Sequence, residues 1–268
     1  MQSSNLFDVL FLGDVVGRPG RLHVKQYLQS LKNSQVEPDL IIVNAENSAH
    51  GFGLTRKIVN EFVESGVHVL SGGNHTFDKK EIFEFIDDSP FILRPANYPP
   101  GTPGKGSFIF ESDGFRVGII NLMGRVFMEP LRSPYLLADE LIEELREDVD
   151  ALIVDFHAEA TAEKVALGLY LDGRVAACLG THTHVQTADA RVLPGGCAYI
   201  TDAGLCGPRD GVIGMDKELV FRRLISQLPS RLEIAQGPTV VCGVRFQIDK
   251  ETGKSVRIER IYQDSESC

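Results

Sequence analysis

The sequence predicts an α/β fold of parallel strand–loop–helix units, carried in one domain over residues 1–268. Three observations predict it. Short apolar runs at 6–12, 40–43 and 67–70 are each followed by a polar loop and then by apolar residues at helical spacing. Each time the polar residues stand at the C-terminal end of the run, where open α/β sheets place their sites. The 268 residues, 43% hydrophobic and 24% charged, have the make-up of an ordinary globular chain with material for a sizeable core.

The first strand is expected at 6–12 (Leu-Phe-Asp-Val-Leu-Phe-Leu), ending in Gly13-Asp14. Pro19 follows in the first turn of a helix carrying Leu22, Val24, Tyr27, Leu28 and Leu31. Proline suits that turn because its missing N–H has no intrahelical acceptor there. Leu40–Val43 is the second strand, ending in Asn44-Ala45-Glu46-Asn47. Thr55 is the expected cap of a helix with Ile58, Val59, Phe62 and Val63 on one face, closed by Gly66. Val67–Leu70 leads into Gly72-Gly73-Asn74-His75, and Asp78 with Glu81 resembles a capping box opening a helix with Ile82, Phe83 and Ile86.

Residues 95–106 are rich in Pro and Gly and read as a loop, followed by a hairpin whose turn is Asp113-Gly114. A helix is expected over 136–147, then a buried strand Ala151–Val154 ending in Asp155-Phe156-His157. Thr161–Tyr170 reads as helix, and the apolar run 175–179 ends in Gly180-Thr181-His182-Thr183-His184. Beyond it the chain turns β-rich at 197–201, 240–248 and 255–262, with one helix over 215–228.

The formal net charge of −10 and pI near 5.2 speak against a long nucleic-acid groove, which shows as a basic stripe. A small phosphorylated ligand stays open, because a metal ion can supply the positive charge. No run has the length of a membrane span, and the stretch from Leu6 to Val16, broken by Asp8 and Asp14, lacks the basic head of a secretion signal. Five cysteines without a CxxC spacing predict a reducing, cytoplasmic setting and no zinc ribbon. The stretch Gly101–Ser107 is no phosphate loop, since no strand precedes it and its Gly and Ser spacing is wrong. Gly13, Gly17 and Gly20 likewise miss the dinucleotide fingerprint.

Asp14, Glu46, Asn47, Asn74, His75, His157, His182 and His184 come from five strand ends that can face one crevice. In an extended strand residues i and i+2 share a side, so His182 and His184 are expected to converge. Oxygen and imidazole donors without thiolate suit Mn, Fe, Zn or Ni rather than a structural zinc site. The donors outnumber what one four-coordinate ion needs. Two ions bridged by a carboxylate, about 3.5–4 Å apart, are the natural arrangement. His23, His50 and His68 fall within helix, loop and strand patterns and read as structural or exposed.

The order Gly13-Asp14, Asn44-Ala45-Glu46-Asn47, Gly73-Asn74-His75, His157 and Gly180-Thr181-His182-Thr183-His184 resembles the motif blocks of the calcineurin-like metallophosphoesterases. It resembles more closely their bacterial YmdB-like branch of cyclic-nucleotide phosphodiesterases, through Asp155–Thr161, Thr181–Asp189 and Arg94–Asn97. The resemblance implies a four-layer α/β/β/α sandwich with two mixed sheets. It also implies two divalent transition-metal ions, iron or manganese ahead of zinc or magnesium. One ion would be held by Asp14, Glu46, Asn47 and His184, the other by Glu46, Asn74, His157 and His182, with Glu46 bridging. His75 would bind no metal and would stand beside the phosphate. Val16, Glu46 and Thr76 replace a His, an Asp and a Glu of the broader family, as they do in the closer branch.

The expected activity is hydrolysis of a small phosphodiester, a 2′,3′- or 3′,5′-cyclic nucleotide. A hydroxide bridging the cations would attack phosphorus, with His75 assisting the leaving alkoxide. A metal-loaded, nucleotide-binding regulatory protein is the alternative, and His75 argues against it, because a pure binder has no need of that residue. A metal-dependent hydrolase of another ester or amide would share the same ligands. Arg94, Arg125 and Arg209, in loop-like stretches, read as solvated surface residues. The edge of the 107–121 hairpin needs a cover, which predicts a homo-oligomer.

Overall fold

Alternation along the first strand decides how the layers form. In β1 (Leu6–Leu12), Phe7, Val9 and Phe11 point into one apolar cluster while Leu10 and Leu12 point into another. The structure is a computed structural model that describes residues 5–229 and 231–266. Its elements run β1, β2 (Asp14–Val15), α1 (Gly17–Asn33), β3 (Leu40–Asn44), α2 (Arg56–Glu64), β4 (Val69–Ser71), β5 (Ser107–Ser112), β6 (Phe115–Met123) and α3 (Pro134–Leu145). There follow β7 (Ala151–His157), α4 (Thr161–Leu171), β8 (Ala177–Thr181), β9 (Arg191–Val192), β10 (Ala198–Ile200), β11 (Leu205–Pro208), α5 (Lys217–Ser226), β12 (Thr239–Asp249) and β13 (Lys254–Asp264).

Two sheets result. One has the order β2-β11-β12-β1-β3-β4, with β13 paired to β12; the other runs β5-β6-β7-β8-β10-β9. Both are mixed: β1, β3 and β4 are parallel while β12 is antiparallel to β1, and β6, β7 and β8 are parallel while β5 is antiparallel to β6. Phe7, Val9, Leu40 and Ile42 of the first sheet meet Val117, Ile119, Ile153 and Leu179 of the second in a central core. The opposite face of the first sheet packs Leu10, Leu12 and Val43 on Val24, Leu28, Ile58 and Phe62 of α1 and α2. The opposite face of the second packs Val154 and Phe156 on Leu137, Ile142 and Leu167 of α3 and α4. This is the expected four-layer α/β/β/α sandwich. No helix among the described residues is long and apolar enough to cross a membrane.

The departures from expectation are local. Asp78 and Glu81 form no capping box: Asp78 turns to His75, and Glu81 accepts the backbone N–H of Arg56 at 3.0 Å. The segment contracts to a 3-10 turn at Lys80–Glu84, which buries Ile82 and leaves Phe83 exposed, stacked on Phe77. Thr55 stands at the start of α2 without a capping side-chain bond. The last helix starts later than expected because Asp216 Oδ1 accepts the N–H groups of Glu218 and Leu219. Arg94 is not solvated: its guanidinium donates to the carbonyls of Pro95, Ala96, Thr102 and Pro103 and holds the 95–106 loop in shape. Arg209 is tied up with Asp210, Asp264 and Glu266.

Candidate metal centre

The C-terminal ends of β1, β3 and β4 in one sheet and of β7 and β8 in the other meet along one rim. The eight polar residues picked from the sequence all arrive there. Asp14 leaves β1 through Gly13, where an added Cβ would lie 1.8 Å from the Gly204 carbonyl oxygen. Glu46 and Asn47 occupy the turn after β3, and Asn74 and His75 follow β4. His157 ends β7, and His182 and His184 follow β8.

Four donor atoms crowd one point. His157 Nε2 lies 3.0 Å from Glu46 Oε1, 3.0 Å from Asn74 Oδ1 and 3.0 Å from His182 Nδ1. One ring nitrogen carries at most one proton, so it cannot donate to three such atoms at once. Its other nitrogen, Nδ1, meets Thr181 Oγ1 at 3.0 Å, and that hydroxyl donates to Asp155 Oδ1 at 2.8 Å. The Thr181 hydroxyl therefore accepts from Nδ1–H, which aims Nε2 at the cluster, where a cation can take the place of its proton. Glu46, His157 and His182 together have the mutual spacing of a metal-binding group.

A second group lies beside it. His184 Nε2 is 3.7 Å from Asp14 Oδ1 and 3.3 Å from the side-chain amide nitrogen of Asn47, while its Nδ1–H donates to the Ile213 carbonyl at 2.9 Å. Asp14 Oδ1 is buried and has no hydrogen-bond partner among the described residues. A buried carboxylate oxygen left unpaired is costly unless a cation meets it. Glu46 lies between the two groups: Oε1 faces His157 and the Asn47 amide, and Oε2 accepts the His75 backbone N–H at 2.9 Å. Gly73 leaves the room these atoms need, because a Cβ there would lie 2.3 Å from His157 Nε2 and 2.5 Å from Glu46 Oε2. The donor set of Glu46, His157 and His182 and the cradle around it fit a divalent metal ion.

The electrostatics run the same way. Burial opposes ionisation of Glu46, but attraction to His157 and hydrogen bonds from His157 and the His75 backbone outweigh it, and its pKa falls to about 2. Burial pulls His157 down, yet Glu46 and Asp14 overcome it and lift its pKa to about 9. Burial and the neighbouring His157 push His182 down to about 3. Burial raises Asp14, against the attraction of His184 and His157.

His182 and His184 were expected to converge as neighbours on one side of a strand; instead one joins each group. They are not extended: φ is +99° at His182 and +66° at His184, both in the region that side chains with a Cβ rarely adopt. The His182 backbone N–H donates to Asp14 Oδ2 at 3.0 Å, and Thr183 is pinned through its N–H and hydroxyl to Asp202 Oδ2 at 3.0 and 2.7 Å. Asp202 is itself paired with Lys164 at 2.6 Å inside the protein, both side chains being almost fully buried.

The side chain of His75 makes its contacts outside the cluster. Its Nδ1 meets Asp78 Oδ2 at 2.9 Å and its ring packs edge-on against Phe52, centroids 4.7 Å apart. Sequence reasoning missed Asp78 in this place, although its spacing of three from His75 was the available signal. It also missed the buried polar layer behind the centre. There Asp155 accepts from Ser71 at 2.5 Å, Thr181 at 2.8 Å and Asn44 at 3.2 Å, and burial pushes its pKa up to about 6. A lone Asp closing an apolar strand was the clue to that layer. Glu159 Oε2, 3.1 Å from His182 Nε2, was not picked out either, although it lies in the Asp155–Thr161 stretch that carries the resemblance. His23 and His68 are structural, bonded through Nδ1 to the Thr239 hydroxyl and the Ile41 N–H, and His50 is exposed.

A family model described as YmdB-like protein matches residues 10–261. The chain is 54% identical over 253 residues to the 2′,3′-cyclic-nucleotide 2′-phosphodiesterase of Bacillus subtilis, covering 94% of this chain and 96% of that one. Among solved structures, a novel phosphatase of Mycoplasma pneumoniae matches with a TM-score of 0.91 and 38% identity, covering 97% of this chain and 94% of that one. A hypothetical protein of Thermus thermophilus matches with a TM-score of 0.90 and 41% identity over 96% of this chain and 99% of that one.

Proposed function

Because this chain belongs to the YmdB-like protein family, we propose that it hydrolyses 2′,3′-cyclic nucleotides, opening the P–O2′ bond at a centre of two divalent metal ions. It is an enzyme, a phosphoric diester hydrolase. The observation that carries the reading is the crowding of Glu46 Oε1, Asn74 Oδ1 and His182 Nδ1 around His157 Nε2, each at 3.0 Å.

Asp14, Glu46, Asn47 and His184 would hold one ion, and Glu46, Asn74, His157 and His182 the other. Oxygen and imidazole donors favour iron or manganese over a thiol-loving metal. When bound, the ions supply an activated water for attack on phosphorus and positive charge against the phosphoryl oxygens. The chain does the rest. Thr181 and Ile213 fix the tautomers of His157 and His184, and Glu159 takes the outer N–H of His182. Asp78 orients His75 through Nδ1, leaving Nε2 as the nitrogen that carries a proton to the departing O2′. β5 is the terminal strand of its sheet, and its cover by a second copy belongs to the same proposal. So does a cytoplasmic location, which the buried free thiols of Cys178, Cys197, Cys206 and Cys242 suit.

The test is hydrolysis of 2′,3′-cyclic AMP by chelator-stripped protein titrated separately with Mn(II), Fe(II), Zn(II) and Mg(II). Activity is expected to return at about two equivalents of a transition metal. His75→Ala should bind the same metal yet lose roughly 10²–10⁴ in kcat. Tight metal uptake with no turnover under any ion would refute the enzyme reading and favour a nucleotide-binding protein.

A further inference from the structure

Phe127 is the most exposed large apolar side chain among the described residues, at 90% relative exposure, in a protein whose other phenylalanines are largely inside. It sits in the loop between β6 and α3 with φ of +63°. That loop is not slack. The N–H groups of Arg125 and Val126 donate to the Glu163 carboxylate at 3.0 to 3.2 Å, and the Asn97 side chain donates to the Arg132 carbonyl at 3.1 Å. A pinned loop thus holds an aromatic ring in water, on a backbone conformation unfavourable for a residue with a Cβ. Burial does not explain it. Position does.

Phe127, Met128 and Glu129 line one open cavity of about 370 Å³ together with Asn74 and His182. That volume lies in the range of small-molecule sites, and two of its lining residues, Asn74 and His182, belong to the candidate metal centre. On the phosphodiesterase reading a phosphodiester would put its phosphorus at Asn74 and His182, which leaves the Phe127 end of the same cavity for the group it carries. A flat π-face offered to solvent in the same cavity suits a nucleobase, since every base has a face to stack and the contact does not depend on hydrogen-bond pattern.

We propose that Phe127 is the base platform of this enzyme, a binding and specificity residue that stacks the nucleobase of a nucleoside 2′,3′-cyclic phosphate. This rests on the phosphodiesterase reading above and adds to it a ranking of substrates: purine before pyrimidine, and both before a cyclic phosphate with no base. A stack present equally in ground and transition states lowers KM and leaves kcat alone.

The experiment compares the parent, Phe127→Ala and Phe127→Trp, all metal-loaded, on 2′,3′-cyclic AMP, 2′,3′-cyclic CMP and the base-free glycerol 1,2-cyclic phosphate. Phe127→Ala should raise KM for cyclic AMP about tenfold, the scale of one lost base stack, with kcat within about twofold. Its kcat/KM on the glycerol ester should equal the parent's, and Phe127→Trp should keep the low KM. Unchanged KM for cyclic AMP in Phe127→Ala, or an equal loss on the base-free ester, overturns the proposal while leaving the phosphodiesterase standing. A parent inactive on every cyclic phosphate overturns both.

Discussion

Removing the charge of Lys164 is the sharpest test of how the centre is held. Its ammonium is buried 2.6 Å from Asp202, and Asp202 also accepts the Thr183 N–H, the Thr183 hydroxyl and the Gly204 N–H at 3.0, 2.7 and 2.8 Å. Taking one partner from a buried pair costs about 3–5 kcal/mol because the other charge stays behind. Lys164→Met keeps the aliphatic stem and leaves the carboxylate three donors, so its cost belongs at the low end, about 3 kcal/mol. Asp202→Asn leaves a buried ammonium facing an amide and frees Thr183, so its cost belongs at the high end, about 5 kcal/mol. At roughly 2 °C per kcal/mol for a chain of this size, the melting temperature should fall by about 6 and 10 °C respectively. The double variant should cost less than the sum of the singles, since neither charge is then stranded. Calorimetry and urea titration of the four proteins measure this. A loss under about 1 kcal/mol in both singles would refute the reasoning, because that is the worth of an exposed pair. Metal affinity supplies a second reading: Asp202→Asn should weaken it more than Lys164→Met, because only Asp202 touches the residue between the two histidines.

Two further outcomes follow from the same geometry. Gly73→Ala should fold with near-parental far-UV circular dichroism yet lose tight metal uptake, because its Cβ would press on His157 Nε2 and Glu46 Oε2; undiminished uptake by equilibrium dialysis would contradict the cradle. Above pH 6.5 the metal-free protein should lose stability as pH rises; below it His182, lowered from 6.5 to about 3, works the other way and offsets Asp155. Asp155, raised from 3.8 to about 6, prefers the neutral form when folded, which costs stability as pH rises through that window. His157, raised from 6.5 to about 9, contributes stability that is complete below pH 6.5 and lost as pH rises through 9. Glu46, lowered from 4.5 to about 2, works oppositely but only below pH 4.5. Urea midpoints of chelated protein that climb between pH 7 and 9 would contradict this, whereas saturating metal should remove the alkaline loss by replacing the proton on His157.

The layers and the strand-end site are legible in the sequence because both rest on local patterns. Apolar runs such as 40–43 and 151–154 are buried on both faces, and the polar residue closing each run has nowhere to go but the sheet rim. What escapes is whatever long-range contact decides. Asp78 looks like a helix cap until His75 claims it, and the loss of the cap shortens the helix to a 3-10 turn. Lys164 looks like any helical surface lysine, because the acid that buries it comes from residue 202. His182 and His184 are found by spacing, but their left-handed backbone is imposed by Asp14 and Asp202, which no strand periodicity encodes. Phe127 carries no local signal, being one aromatic in an irregular loop.

The pairing of β1 with β12 bears on how the protein is made. Leu6 lies opposite Asp249 and Leu12 opposite Gly243, so β1 leaves the ribosome long before its antiparallel neighbour β12 has been synthesised. Until then β3 can cover one flank of β1 while the other stays open. A nascent chain in that state carries an unpaired apolar strand edge until β12 emerges, the kind of surface that invites aggregation and that chaperones hold. Truncations from the C-terminus that reach β12 should therefore give insoluble chains, even though every residue of the metal centre lies before position 185.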